Sequence, residues 1–424
     1  MRQAKDGLEW KGKKAIRVME PIKAYNDHNV YIVGAGFSAE AGLPLIKNFM
    51  NRMRDAAPWL QDQGGREKEI KAIERVLDLR LRAAAAAYRV PLNVENIEEL
   101  FSLASASGDA KLSGDVTTAI AATLDFCGQS AAQELKENPI SMSRLGDSDW
   151  TVPQNWVLHD TQEPANRTVY KCPRYEFYLG LMCGYFSESG LDRQDTIISF
   201  NYDTVIEDAL WGLGLEPRYA DDPKMVEWRR PVDATRAGRR AIPVLKLHGS
   251  VNQASGGPRR LLAYPSYAGL RVDKHTPLLV APTWQKSLRG HLSEVWKDAV
   301  KALRTATRVV IMGYSVPQTD QHFRYLLAAG LQRNISLRKI LFVNDTDGRL
   351  LKQHLYNLNL FREEHFEHGI IEPIEPRTRT VKDFLEGGEG RELIGRKLKE
   401  PTWRKIDPPI SYPPPPLCTP VSLT

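Results

Sequence analysis

The sequence predicts an α/β fold built on an open, parallel sheet, and three observations carry that prediction. Five short runs rich in Val, Ile, Leu and Phe are continuously apolar, the pattern of strands covered on both faces. Each run gives way at once to small or polar residues, as strand ends do where an open parallel sheet forms a ligand crevice. The roughly 160 residues between the first and second runs have another character, with apolar residues near the 3.6 spacing of helices.

Taken in order, residues 1–24 read as an N-terminal extension whose "MRQAKDGLEWKGKKAIRV" lacks the apolar core of a signal peptide. The first strand is "NVYIV", followed by Gly34-Ala35-Gly36. A mainly helical insertion is predicted over about 50–190. Within it "GGREKEIKAIERVLDLRLRAAAAAYR" has high helix propensity, and "NVENIEELFSLASA" reads as a helix with an Asn cap. From Asp147 to Arg174 the pattern turns irregular, and "QNWVLHDTQEPANRTVYKCP" reads as a loop over a pocket. The second strand is "DTIISF" before Asn201-Tyr202-Asp203, and the third is "IPVLKL" before His248-Gly249-Ser250. The fourth is "RVVIMG", running into Gly313-Tyr314-Ser315, and the fifth is "KILFV" before Asn344-Asp345. The domain so defined spans 25–375, and residues 376–424 read as a tail that ends in the Pro-rich "KIDPPISYPPPPLCTPVSLT".

Composition bounds the function. With 42% hydrophobic and 26% charged residues the chain is of the soluble globular type. A net charge of +6 is a mild basic excess, which a mixed solvated surface explains and which leaves nucleic acid as a partner unindicated. Cys127, Cys172, Cys183 and Cys418 form no CxxC pair, so neither a zinc ribbon nor a disulfide scaffold is suggested. A reducing, cytoplasmic setting follows. No apolar run approaches the ~18 residues of a membrane span.

The glycine motif narrows the chemistry. A dinucleotide dehydrogenase needs GxGxxG and a strand-end acid about 20 residues on. Here Gly34-x-Gly36 is followed next by Gly42, and no such acid appears. No GxxxxGK[ST] loop is present either, which disfavours a P-loop ATPase. What remains is a glycine turn whose N–H groups, with a following helix N-terminus, can hold a diphosphate.

Together "GAGFSAEAGLP", "SFNYD", "LHGS", "GYS" and "VND" resemble, in order and spacing, the motif series of the sirtuin superfamily over about residues 28–350. The likeness is greatest to the bacterial sirtuin-like proteins of antiphage defence, whose domain hydrolyses NAD+. The resemblance implies a Rossmann-like sheet and NAD+ as substrate, with Gly34, Ala35, Gly36 and Ser38 at the diphosphate. It implies Asn201 and Asp203 at the nicotinamide ribose and carboxamide, and His248 as catalytic base. Gly313 and Ser315 would meet phosphate or ribose, and Asn344 the adenosine ribose. It further implies a homo-oligomer that can pair with a separately encoded, DNA-translocating ATPase. Sirtuin deacylases have a proline, an acid, a phenylalanine and an arginine where this chain has Pro44-Leu45-Ile46-Lys47, and they carry two CxxC pairs for zinc. Both departures put the acyl-peptide groove in doubt, and no metal is expected.

The chemistry can be argued from the residues as well. Nicotinamide leaves NAD+ as a neutral molecule, and positive charge builds on the ribose, as in other oxocarbenium-like glycosyl transfers. An Asn side chain both donates and accepts, which suits orienting a hydroxyl or a water. An imidazole titrating near ~6.5 takes a proton at cytoplasmic pH. Plainer readings stand beside these: an Asx turn or helix cap for Asn201 and Asp203, a backbone-bonded strand-end histidine for His248, and a cap for Asp320. His365 and His368 read as a solvated helix face beside Glu364 and Glu367. Arg229, Arg230, Arg259 and Arg260 are loop residues that can meet an anion. The function expected is NAD+ cleavage to nicotinamide and ADP-ribose, gated because a free NADase starves its host. The alternatives are a lysine deacylase and a non-catalytic NAD+ or ADP-ribose sensor.

Overall fold

The computed structural model describes residues 28–90, 92–137, 173–184, 194–229, 240–280, 290–316, 320–345, 348–357, 361, 363–367, 371–373 and 380–386, with 390 and 394. The N-terminal extension and the Pro-rich end lie outside them, as does the segment 154–173 read as a pocket loop except for Pro173, which begins a helix.

The chain begins with β1 (His28–Val33), then α1 (Phe49–Gln63), α2 (Glu67–Ala87), α3 (Ile97–Ala106), α4 (Ala110–Glu137) and α5 (Pro173–Met182). It continues with β2 (Gln194–Ser199), α6 (Val205–Gly212), β3 (Glu216–Arg218), β4 (Val226–Trp228), β5 (Ala241–Lys246), β6 (Gly249–Ser250), β7 (Gln253–Ser255) and β8 (Leu261–Ala263). Next come α7 (Tyr267–Val272), β9 (Leu278–Leu279), α8 (His291–Thr305), β10 (Arg308–Met312), α9 (Gln321–Leu331) and β11 (Lys339–Val343). The last elements are α10 (Gly348–Asn357), α11 (Glu363–Glu367), β12 (Ile371–Pro373) and α12 (Val381–Glu386).

The five predicted strands are β1, β2, β5, β10 and β11, and all pair in parallel within one sheet of order β12-β11-β10-β1-β2-β5-β3. Apart from the added edge strand β3, that is the doubly wound, Rossmann-like order, whose direction reverses between β1 and β10. Alternate residues explain the uniformly apolar runs. Tyr31, Val33, Ile197, Val244, Val310 and Met312 enter one core with α5 and α6. Val30, Ile32, Ile198, Leu245, Val309 and Ile311 enter the other with α8 and α9.

The helical insertion has a core of its own. Met53, Ile73, Val76, Leu100, Phe101 and Ile120 pack together from α1 to α4, and Tyr264, Tyr267 and Leu270 of the small β7–α7 region join them. The predicted Asn cap is Asn96, whose side chain accepts the Glu98 N–H at 2.9 Å. The fold departs from expectation at its end and at its edges. The folded body runs past 375, because α12 buries Val381, Phe384 and Leu385 in the sheet's core. The edge strands β3 and β12 were not foreseen; each is three residues long, too short for a periodic signal. Among the described residues, no helix is long and apolar enough to cross a membrane.

Candidate functional site

The loops after β1, β2, β5, β10 and β11 line one cavity of about 540 Å³. Gly34, Ala35, Gly36, Ser38, Asn201, Asp203, His248, Gly313, Ser315 and Asn344 all stand on its wall, so the segments singled out in the sequence converge at the carboxyl ends of the strands.

The glycines are required by the crossing of two loops at the switch between β1 and β10. Gly36 donates its N–H to the Gly313 carbonyl at 2.8 Å, and Gly34 donates to Met312 at 3.1 Å. A Cβ on Gly36 would lie 2.9 Å from Gly313 Cα, and one on Gly313 would lie 2.2 Å from Phe37 N at φ +61°. The helix expected directly behind the glycines is absent. Two single 3-10 turns, Ala35–Phe37 and Ala39–Ala41, stand in its place; Gly42 at φ +77° ends the second, and α1 starts only at Phe49. The N–H groups of Phe37 and Ser38 close the first turn onto Gly34 and Ala35, and that of Gly36 is held by Gly313. The backbone cradle is thus largely spent on the fold. The groups left to meet an anion include the Ser38 and Ser315 hydroxyls and Lys47 and Lys382 on the cavity wall.

Asn201 is buried and fixed. Its Nδ2 donates to the Gly34 carbonyl at 2.9 Å and to Ser38 Oγ at 3.0 Å. Both amide hydrogens are committed, so the side chain offers its carbonyl oxygen, an acceptor, to a hydroxyl or a water. Asp203 does what the plainer reading foresaw: its Oδ1 accepts the Val205 N–H at 3.1 Å in an Asx turn before α6. It also lines the cavity.

The turn 201–203 is tied to the stretch carrying His248. Leu247 donates to the Ser199 carbonyl at 3.0 Å, and Val251 to that of Tyr202 at 2.9 Å. Ser250 Oγ donates to the Tyr202 carbonyl at 2.9 Å, and Lys246 Nζ to the Asp203 carbonyl at 2.5 Å. Behind them Lys246 lies 3.5 Å from Glu207 Oε1, which accepts the Tyr219 hydroxyl at 3.1 Å. Burial pushes the Glu207 carboxyl above its usual range, and Lys246 pulls it back in part.

His248 is 5% exposed. Its ring meets Phe200 edge-on at 5.2 Å, and Phe200 stacks on Tyr314 at 4.7 Å. The Tyr314 hydroxyl donates to Asp320 Oδ2 at 2.6 Å, and burial with that carboxylate holds the phenol well above its ordinary value. Asp320 also caps α9, accepting the Phe323 N–H at 3.3 Å. Asn344 Nδ2 donates to the Tyr314 carbonyl at 3.2 Å.

Two parts of the wall were missed. The helical insertion supplies Phe49, Ile97, Glu98, Ile120 and Leu124, and the α12 region supplies Thr380, Val381 and Lys382. Arg174 links α12 to the glycine loop, with Nη1 at 2.9 Å from Glu40 and Nε at 2.8 Å from Glu386. The arginine pairs of the sequence reading resolve partly: Arg229 and Arg260 both pair with Glu227, at 2.9 and 2.6 Å. His365 meets Phe361 edge-on at 6.5 Å, and His368 is outside the described residues. Among the described residues, no group of three or more His, Cys, Asp or Glu is placed to hold a metal.

Residues 195–365 match the family model of the SIR2-like domain. No curated protein sequence matches the chain. Among solved structures, a Sir2 homologue mutant in complex with 2'-O-acetyl ADP ribose overlaps 88% of this chain and 96% of its own at 15% identity and TM-score 0.36. A Sir2 enzyme from a study of mechanism and regulation overlaps 88% and 95% at 11% identity and TM-score 0.32. Overlaps this loose carry nothing about function.

Proposed function

We propose that the protein is an NAD+ glycohydrolase, releasing nicotinamide and ADP-ribose. The observation that carries this reading is the meeting of Asn201 and His248 in one cavity with the glycine loops and Asn344. Its volume of about 540 Å³ is in the range of ligand sites, about 300–1,000 Å³. Lys47 and Lys382 offset the diphosphate charge, while Glu98, Asp203 and Asp320 suit a cationic pyridinium.

In this reading the Asn201 carbonyl oxygen orients a ribose hydroxyl or the attacking water. His248 takes the proton that the nucleophile sheds. Positive charge passes from the pyridinium to the ribose as the C–N bond breaks, and a carboxylate on the cavity wall such as Asp203 would favour that charge. The match to the SIR2-like domain supports NAD+ as substrate, and the sequence's lack of a CxxC pair favours water over an acylated lysine as acceptor. The proposal extends to a cytoplasmic antiphage effector, gated by assembly or by a separate ATPase partner; the motif resemblance and the toxicity of NAD+ loss support that part.

The test is incubation with NAD+ and no peptide, following nicotinamide and ADP-ribose, beside His248→Ala and Asn201→Ala. Each variant should lose about 10²-fold or more of turnover with the fold retained. Nicotinamide release that requires an acylated peptide points to a deacylase, and tight binding without turnover points to a sensor.

A further inference from the structure

Beside the main cavity lies a smaller one of about 70 Å³, and the two share Leu43, Leu124 and Asp203. Its wall carries polar side chains at one part, among them Asp125, Thr204 and Asp208. Asp125 accepts from Arg66 and Gln129, both at 2.9 Å, and Asp208 accepts from Thr204 at 3.0 Å. A carboxylate has room for about four donors, so Asp125, with two of them from Arg66 and Gln129, can take a water as well. Leu43, Leu124, Val205 and Val251 make much of the wall apolar, and the volume has room for a few waters beside the polar groups, since each needs roughly 10–15 Å³ of such volume.

A dinucleotide in the main cavity would take up space that solvent fills, and hydrolysis still needs a water at the anomeric carbon. We propose that the side chamber supplies the nucleophilic water, passing it by Asp203 to the anomeric carbon beside Asn201. This rests on the glycohydrolase reading. The water oxygen forms the new bond to the anomeric carbon, the C–N electron pair leaves with nicotinamide, and the water's proton goes to His248 and then to solvent. One water is consumed and one proton released for each NAD+ cleaved.

Gly128, on α4, lines the chamber, and a Cβ there would meet no heavy atom within 4 Å, so a side chain can grow into the space. Gly114 on the same helix is equally open and lines neither cavity, which makes it the control. Gly128→Leu, Gly128→Ala and Ala132→Val would be assayed with NAD+ and labelled nicotinamide, reading base exchange against ADP-ribose formation. In Gly128→Leu the ratio of exchange to hydrolysis should rise by about fivefold, the worth of one positioned hydrogen bond to water. The smaller substitutions should raise it less, and Gly114→Leu should leave it unchanged. An unchanged ratio in all three chamber variants overturns the proposal. So does a lower ratio, which would make the chamber a nicotinamide path. A protein that releases no nicotinamide at all fails the glycohydrolase reading itself, a different result from either.

Discussion

Replacing Lys246 by Met tests the link between the buried ion pair and the site. Lys246 is 1% exposed and Glu207 fully buried, so the substitution strands a carboxylate in a dry interior. Breaking such a pair costs about 3–5 kcal/mol. An independent estimate agrees. Glu207 can escape by taking a proton, and at pH 7 a carboxyl of ordinary pKa 4.5 does so for 2.5 × 1.36, or about 3 kcal/mol. The sign of the pH dependence follows. A carboxyl held above its unfolded value contributes stability that is complete below about 4.5 and is lost as pH rises through the folded value. Without Lys246 the carboxyl is pushed higher still, so the variant's deficit relative to the parent should shrink as pH is lowered from 7. Urea unfolding at pH 7 and pH 5.5 measures both effects. Lys246→Met/Glu207→Gln should recover most of the stability, yet not the hydrogen bond to the Asp203 carbonyl, so its nicotinamide release should stay about tenfold low. A single-variant cost under about 1 kcal/mol, or one insensitive to pH, would refute the reasoning.

Two further outcomes concern His28 and Gly249. His28, bonded through its ring nitrogens to Thr305 and Thr196 at 3.0 Å, has its pKa lowered from 6.5 to about 4, chiefly by burial. Its stabilising contribution is complete above 6.5 and is lost as pH falls through 4, a span of about 3 kcal/mol; urea midpoints of His28→Gln should show a flatter decline over that window. Gly249→Ala would force a side chain into φ +76° with its Cβ 1.9 Å from the Leu278 carbonyl oxygen, beside His248. Thermal unfolding should show a loss of about 2–4 kcal/mol, whereas Gly214→Ala, at φ +72° with no atom within 4 Å, should lose only about 1–2 kcal/mol.

What could be read in the sequence was what depends on the chain's local chemistry. Strands buried on both faces leave unbroken apolar runs, and Asn201, His248 and Asn344 follow such runs within two residues. Their convergence was legible because a parallel sheet brings all its carboxyl ends to one side. The purpose of the glycines was not legible. Gly34 and Gly36 signal that something approaches closely, and the sequence does not say whether that is a phosphate or, as here, the loop at Gly313. Ile97, Ile120 and Leu124 have the same apolar spacing as any core helix, and only the docking of the helical layer turns them toward the cavity. Lys382 was hidden for another reason: α12 has six residues, less than two turns, and its burial comes from contacts with distant segments.

The helical layer belongs to the site in a stronger sense than covering it. Leu124 of α4 stands in both cavities, with Ile120 on the side of the main one and Asp125, Gly128 and Gln129 on the side of the smaller. The helix cannot shift without altering both. It is also held from two directions. At the glycine loop, a Cβ on Gly42 would come within 2.6 Å of the Ala131 side chain, so the loop and the helix are in close contact. At the far side, Arg66 binds Asp125 at 2.9 Å and lies over the Trp59 and Tyr267 rings at 5.6 and 5.9 Å, joining α1, α4 and α7. The exposed face of the layer is thus joined through α4 to the walls of both cavities. Under the proposed gating, assembly or a partner at that face would need no contact with Asn201 or His248, since moving one packed body would be sufficient.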